Sequence, residues 1–294
     1  MNGIIVVNKE VGITSHDVVN KIRKIFNTKR VGHLGTLDPL ATGVLVVCLN
    51  DATKLVQFLS EHNKRYIARV CLGKATDTYD LEGTILNKSK IEYIEEKVVD
   101  EILESFRGVS FQKPPIYSSI KVDGKKLYEY ARNNIEVEVK PREIEIYDIK
   151  RVSNLEFIDE CCYFNIEVFV SKGTYIRSLC FDIGDKLGIP SLMAGLIRTE
   201  VGNFKLSDAS TIKEVEDGNF KIFDMLKALD EFIQLDNVDI VVKAKSGMKI
   251  SIKMIKDLLN DTPRRIVIKS KNQLVAIYEL DEEKKCYRAV RVWN

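Results

Sequence analysis

The stretch GHLGTLDPLATGVLVV, residues 32–47, places the tightest constraint on how this chain folds. Three glycines, one proline and two threonines fall within 32–43, and an apolar run follows at once. Pro39 biases Asp38 away from helical backbone angles. The flanking glycines let the backbone approach a neighbour or a ligand closely. A shaped loop must therefore be delivered straight onto a buried strand. Its centre holds one carboxylate, Asp38, with one histidine, His33, nearby. The plain reading of such an aspartate is an Asx-type turn, in which the carboxylate bonds its own backbone. A nucleoside triphosphate loop is not expected, because the GK[ST] ending of a P-loop is missing.

The bulk numbers permit a large core. At 294 residues, 45% of them hydrophobic, the chain is long enough for roughly two domains of ~150 residues each. The longest apolar runs, such as 44–49, fall far short of the ~20 residues that span a bilayer. The start, MNGIIVVNKE, lacks the basic region and long apolar run of a signal peptide, so a cytoplasmic protein is expected. Six cysteines without a CxxC read as reduced, small hydrophobic residues. His16, His33 and His62 form no metal-ligand spacing, and no metal is expected.

Net charge is only +2, but charge is segregated. Residues 20–30 carry five basic residues and no acid, and 243–271 carry nine basic residues against Asp257 and Asp261. Glu92, Glu95, Glu96, Asp100, Glu101 and Glu104 cluster elsewhere. Such segregation fits a polyanion along one face, and equally a set of solvated helix faces.

Periodicity predicts strands at 3–8, 44–49, 65–72, 135–139, 143–152, 162–170 and 192–199. It predicts helices at 16–26 capped by Ser15, 52–61, 91–107 ending at Gly108, 175–187 capped by Thr174, 211–217 and 220–232. Residues 76–83 read as a polar turn, and 113–132 as a Pro-Pro segment, a strand, a DG turn and a short helix. After residue 234 the character changes to short strands with basic residues, so domains are expected at 1–234 and 235–294. The elements interleave without a strict βαβ repeat, which points to an α+β class.

Two further clusters could carry chemistry. KGTYIRSL puts Tyr175 and Arg177 in a first helical turn, where an arginine opposes the helix dipole and needs a carboxylate or phosphate partner. KRY at 64–66 sets an aromatic beside two cations at a strand start, which suits stacking plus phosphate contact, or simply a strand.

In order along the chain stand GHLGTLDPLATGVL, KRYIARVCLGKATDTYDLEG, PPIYSSIKVDGKKLYEYAR and SKGTYIRSL. With the opening GIIVVNKEVGITSHDVV, these resemble the bacterial TruB-type tRNA pseudouridine synthases, which convert uridine 55 in the T-loop of tRNA. The resemblance covers roughly residues 3–205. It implies a pseudouridine synthase fold, a curved, mixed and largely antiparallel sheet with flanking helices, plus a small C-terminal PUA-like β domain. It implies a catalytic set of Asp38, Arg177 and Tyr66. The implied substrate-binding set is His33, Tyr66, Tyr175, Leu196 and Lys9. No cofactor and no metal are implied; the partner is the tRNA T-arm, with no membrane. No exposed heptad or self-complementary patch is legible, so a monomer is expected. Glu10, Leu34 and Val46 depart from the family's usual proline, threonine and proline. Leu34 leaves no side-chain hydroxyl at its position.

The implied reaction breaks the bond from ribose C1′ to uracil N1, turns the base and reattaches it through C5. A glycosidase uses two carboxylates because it must also activate water. Here the uracil returns as the nucleophile, so one carboxylate suffices. Asp38 acts either as a nucleophile at C1′ or as a base toward C2′ on the way to a glycal. Arg177 would pair with Asp38 and orient it. Tyr66 would stack on the extruded base, Tyr175 would shape the pocket, and His33 would brace the space the flipped base leaves. Two rival readings differ in class. A tRNA-folding chaperone would use the same binding surface with catalysis incidental or lost, and a nucleoside or glycosyl hydrolase using Asp38 would need a second, water-activating partner.

Overall fold

The computed structural model describes every residue except Ser119, Asn134 and Asn294. Its larger sheet has eleven strands among the described residues. Those that position the site are β1 (Gly3–Lys9), β2 (Val31–His33), β3 (Ala41–Leu49), β4 (Lys64–Leu72), β5 (Gly108–Gln112), β6 (Arg142–Arg151), β7 (Cys161–Val170), β8 (Ser191–Val201) and β9 (Ile222–Phe223). They run in the order β9-β1-β3-β8-β4-β7-β6-β5, with β2 paired to β3. Pairing is antiparallel except between β3 and β8. The expected α+β class and mixed, mostly antiparallel sheet are what the chain adopts.

Strand alternation explains the layers. In β1 and β3, Ile5, Val7, Leu45 and Val47 pack with Val18, Val19 and Ile22 of helix α1 (Ser15–Ile25). Ile4, Val6, Val44, Val46 and Cys48 face the other way, into a core shared with Phe58, Val267, Ile277 and Trp293. Farther along the sheet, Ala68, Val70, Phe164, Ile166 and Val168 pack under helices α2 (Glu96–Glu104) and α3 (Ile176–Leu187). All six cysteines are free and buried, in keeping with their reading as small hydrophobic residues.

A second sheet has the order β10-β12-β13-β14-β11, built from β10 (Ile233–Leu235), β11 (Ile250–Ser251), β12 (Arg265–Ser270), β13 (Gln273–Asp281) and β14 (Cys286–Val292). It is the small β unit that the resemblance implies. It docks on residues 51–61 of the larger unit. The Trp293 indole donates to the Asp51 carbonyl at 3.1 Å. The Arg265 guanidinium lies 5.0 Å from the Phe58 ring and 5.2 Å from Phe232. Among the described residues no helix is long and apolar enough to cross a membrane.

Several local expectations are corrected. Helix α1 is capped by Thr14, not Ser15, through a capping box with Asp17. The predicted helix 91–107 shortens to α2, and Gly108, at φ +98°, opens strand β5. Residues 135–139 alternate like a strand but pair with no strand among the described residues, and they run as irregular chain. The predicted helix 220–232 breaks into β9, a turn and a 3₁₀ segment at Lys227–Leu229. There the Asp224 carboxylate accepts the Leu226 N–H at 2.7 Å, a local bond that competes with the helix. The tail holds two helices as well as strands: α4 (Val238–Lys245), capped by Asn237, and α5 (Ile252–Leu259), capped by Ser251. The expected boundary at 234 falls inside β10, which pairs in the second sheet.

Candidate active site

Strand register assembles the site. Leu196 on β8 lies opposite Ala68 of β4 and Ala41 of β3, and Arg198 lies opposite Tyr66 and Gly43. Residues two apart share a face, so Tyr66, Leu196 and Arg198 line one floor. The loop 34–40 leads into β3 and hangs Asp38 over that floor. Gly43 makes the approach possible. A Cβ there would sit 2.3 Å from the Arg198 carbonyl oxygen, and its φ of +100° is one side chains rarely adopt.

Helix α3 brings Arg177 from the other side. Its N-cap is Tyr175, not the expected Thr174, whose hydroxyl instead donates to the Ser171 carbonyl at 3.0 Å. The cap is supplied from a distance. The Tyr175 N–H donates to the Gln112 Oε1 at 2.8 Å, and Gln112 Nε2 donates to the Tyr175 carbonyl at 3.0 Å. Ser178 adds a bond to the Lys113 carbonyl at 2.9 Å, so the Pro-Pro segment is clamped to the first turn of α3.

The Arg177 side chain is buried, at 5% exposure, and its guanidinium is shared. Nε lies 2.9 Å from Asp38 Oδ2, an ion pair off the line of a hydrogen bond, while Nη2 donates to Asp38 Oδ1 at 3.4 Å. Nη1 donates to the Thr78 carbonyl at 3.1 Å and Nη2 to the Tyr117 carbonyl at 2.8 Å. A second carboxylate, Asp80, stands 3.5 Å from Nη1 and is itself buried. Asp80 accepts from the Thr78 hydroxyl at 2.5 Å and the Glu82 N–H at 3.1 Å. Arg177 is thus pinned between a buried acid and an acid whose side chain remains 38% exposed. The fixed fork of a guanidinium suits such multiple anchoring.

The cavity encloses about 280 Å³ and is lined by Asp38, Tyr66, Tyr175, Arg177 and Leu196 among others. That is close to the lower limit of small-ligand sites, ~300 Å³. Burial pushes the Tyr175 phenol above its ordinary pKa, with the Ser118 hydroxyl acting against it. A larger cavity of about 660 Å³ lies beside Ile116, Tyr117 and Ile135. Its charged lining is acidic only, from Asp77, Glu136 and Glu138, which disfavours a polyanion.

Five of the seven residues singled out from the sequence therefore line one cavity. Lys9 and His33 flank it. Lys9 is fully buried behind the loop and donates to the Glu10 and Pro39 carbonyls at 2.8 and 3.3 Å, bracing the residue after Asp38. Burial lowers its pKa, with the Asp38 charge opposing and Arg198 adding to the shift. His33 ends β2; among the described residues its buried Nδ1 has no hydrogen-bond partner, and burial first, then Arg198, pushes its pKa down. Leu34, at 0% exposure, belongs to the apolar core beside Val46, and its N–H donates to the Val46 carbonyl at 2.9 Å. Its side chain packs; a hydroxyl there would face apolar neighbours.

Sequence reasoning missed Asp80, Gln112 and Arg198; Lys64 stood in the KRY segment that suits stacking plus phosphate contact. The TDTYDLEG turn carried the first in plain view, but nothing local says which of its acids turns inward. Among the described residues no group of three or more His, Cys, Asp or Glu could hold a metal ion.

Known proteins share this chain's sequence and architecture. A family model for the N-terminal domain of TruB family pseudouridylate synthases matches residues 23–176, and one for the C-terminal domain of tRNA pseudouridylate synthase B matches 177–236. A tRNA pseudouridine synthase B from Staphylococcus saprophyticus is 42% identical over 96% of this chain and 96% of that protein. Its counterpart from Staphylococcus aureus is 49% identical over 74% of this chain and 72% of that protein. Among solved structures, a chain of a Cbf5–Nop10–Gar1 complex superposes with a TM-score of 0.72 at 25% identity, covering 99% of this chain and 84% of that one. A chain of an archaeal box H/ACA Nop10–Cbf5 complex gives 0.67 at 26% identity, covering 99% and 85%. The chain belongs to the TruB family of pseudouridylate synthases.

Proposed function

We propose that this enzyme isomerises uridine 55 in the T-loop of tRNA to pseudouridine, with Asp38 as the reacting carboxylate. The observation that carries the reading is the pairing of Asp38 with Arg177 at the mouth of a base-sized cavity floored by Tyr66 and Leu196.

The target base is flipped out of the T-loop and enters over Tyr66, whose ring stacks on uracil. Leu196 bounds the apolar side of the pocket. Asp38 reaches the ribose–uracil unit, attacking C1′ or removing a proton at C2′. Either route frees uracil while the pocket keeps it and excludes water. The base rotates, C5 bonds to C1′, the hydrogen on C5 leaves as a proton, and N1 ends protonated in its place. The atoms balance without water, which is why a single reacting acid is enough. Asp80 is a positioning residue: it holds the far side of the guanidinium and leaves Asp38 alone facing the substrate. Tyr175 shapes the rim, His33 lies beside the vacated stack, and Lys9 braces the loop.

The functional division follows the second sheet: the chain before β10 for catalysis, and β10 onward for added RNA contact through exposed lysines on α4 and α5. The enzyme works in the cytoplasm as a monomer on the T-arm. Incubation with an unmodified tRNA transcript, followed by position-resolved pseudouridine mapping, tests this. One new pseudouridine at position 55 is expected. Modification elsewhere with none at 55, or release of free uracil, would refute it.

A further inference from the structure

The same cavity contains two cations that the reaction as described leaves unused. Lys64 and Arg198 line it beside Tyr66 and are 8% and 1% exposed. Among the described residues neither has a carboxylate within ion-pair distance. Both are held by backbone carbonyls instead. Lys64 Nζ donates to the His62 carbonyl at 2.5 Å and to that of Ser60 at 3.5 Å. Arg198 Nε donates to the Val44 carbonyl at 2.8 Å and Nη2 to the Gly35 carbonyl at 3.0 Å. Their dipoles are satisfied; their charges are not.

Uncompensated buried charge is strongly unfavourable. The local pKa values bear its mark. Burial, then Arg198, then Lys172 push Lys64 down to about 8. The one carboxylate lining this cavity, Asp38, is already engaged by Arg177. Carbonyl anchoring fixes both cations in place and leaves donors over: a third ammonium hydrogen on Lys64 and the Nη1 group of Arg198. Gly35, at φ +76°, keeps the space beside them open, since a Cβ there would meet Arg198 Nη1 at 3.4 Å and Lys64 Cε at 3.5 Å.

Position gives the ligand. Lys64 lies two residues before Tyr66 on the same face of β4, and Arg198 is the cross-strand partner of Tyr66. A base stacked on Tyr66 with its ribose at Asp38 carries its own phosphodiesters about one sugar away. We propose that Lys64 and Arg198 form a fixed seat for a backbone phosphate of the flipped nucleotide, so that base flipping is completed by neutralising two cations the free enzyme leaves unmatched. This rests on the functional reading above.

The test uses a T-arm stem-loop RNA in two forms, one all-phosphate and one with uncharged methylphosphonates at both linkages flanking the target uridine. For the wild-type enzyme the neutral linkages should raise Kd and KM about a hundredfold, the loss expected when the phosphate gives up charge-assisted hydrogen bonds to two cations. Lys64→Met should lose about tenfold on the all-phosphate RNA, the share of one cation, with turnover of bound RNA little changed. Combined with the neutral linkages it should lose little more, because those linkages already remove the partner of Lys64. Lys64→Arg should restore most of the affinity, and melting curves check that both variants are folded. Equal wild-type affinity for the two RNAs would overturn the proposal, as would fully additive losses in Lys64→Met. The wild-type measurement needs no variant. Wild-type turnover of the all-phosphate RNA keeps the functional reading intact when the seat fails. Absence of that turnover refutes both.

Discussion

Replacing Arg177 by lysine keeps the charge and removes the geometry. The guanidinium serves Asp38, Asp80 and the carbonyls of Thr78 and Tyr117 together. An ammonium has three donors on a flexible stem and cannot span those acceptors. At least one charge-assisted bond, worth ~1.5–3 kcal/mol, is lost at a buried position. Asp38 is also released from its orientation, because Arg177 is its only ion-pair partner among the described residues. Taking ~3 kcal/mol as lost in the transition state gives a rate lower by roughly 10²-fold. Binding should change little, since Tyr66, Lys64 and Arg198 are untouched. The assay is single-turnover release of tritium from tRNA labelled at uracil C5, with enzyme in excess, beside filter binding. A single-turnover rate near wild type would refute the reasoning, and so would a loss confined to Kd.

Three other outcomes follow from the structure. Gly43→Ala forces a Cβ to within 2.3 Å of the Arg198 carbonyl oxygen; a loss of about 3 kcal/mol is expected, lowering Tm by roughly 5–10 °C, and an unchanged melt would contradict the close-approach argument. Burial, then Asp185, raise the Asp182 carboxyl to about 6. Its folded pKa lies above the unfolded value, so its contribution is intact below about 4 and is lost as pH rises through about 6; Asp182→Asn should therefore melt higher than wild type at pH 7 and no higher at pH 4. Finally, Lys245, Lys249, Lys253 and Lys256 are exposed on or beside α4 and α5. Changing all four to glutamine should flatten the dependence of log K on log salt by about 0.7–0.9 for each phosphate the tail no longer neutralises, and an identical slope would remove the tail from the RNA interface.

The parts of the fold that were legible in the sequence are those where local pattern and tertiary burial agree. GIIVVN, VLVVCL and the alternation of 162–170 specify strands that the sheet then buries. The TYIR segment announced a helix start, though not its cap, because Gln112 lies 63 residues away and is brought there only by β5. The helix at 220–232 failed for the opposite reason: Asp224 offers the backbone a local partner that periodicity does not register. Asn237 and Ser251 were readable N-caps, hidden by the strong strand signals around them. In the site, Asp38 and Arg177 stood out by residue type and setting. Arg198 and Asp80 did not, because an arginine before TEV or an acid in a polar turn reads as solvated surface until the register turns it inward; Lys64 stood out only as part of KRY, where an ordinary strand start was the other reading.

In the proposed reaction Asp38 is the one carboxylate that reacts. The most direct measurement is Asp38→Asn, a nearly isosteric change that spares the cavity floor and its cations. Kd for unmodified tRNA should stay within a few-fold of wild type, while pseudouridine at position 55 should fall below detection in the same preparation. Pseudouridine formed at close to the wild-type rate by this variant would contradict the account.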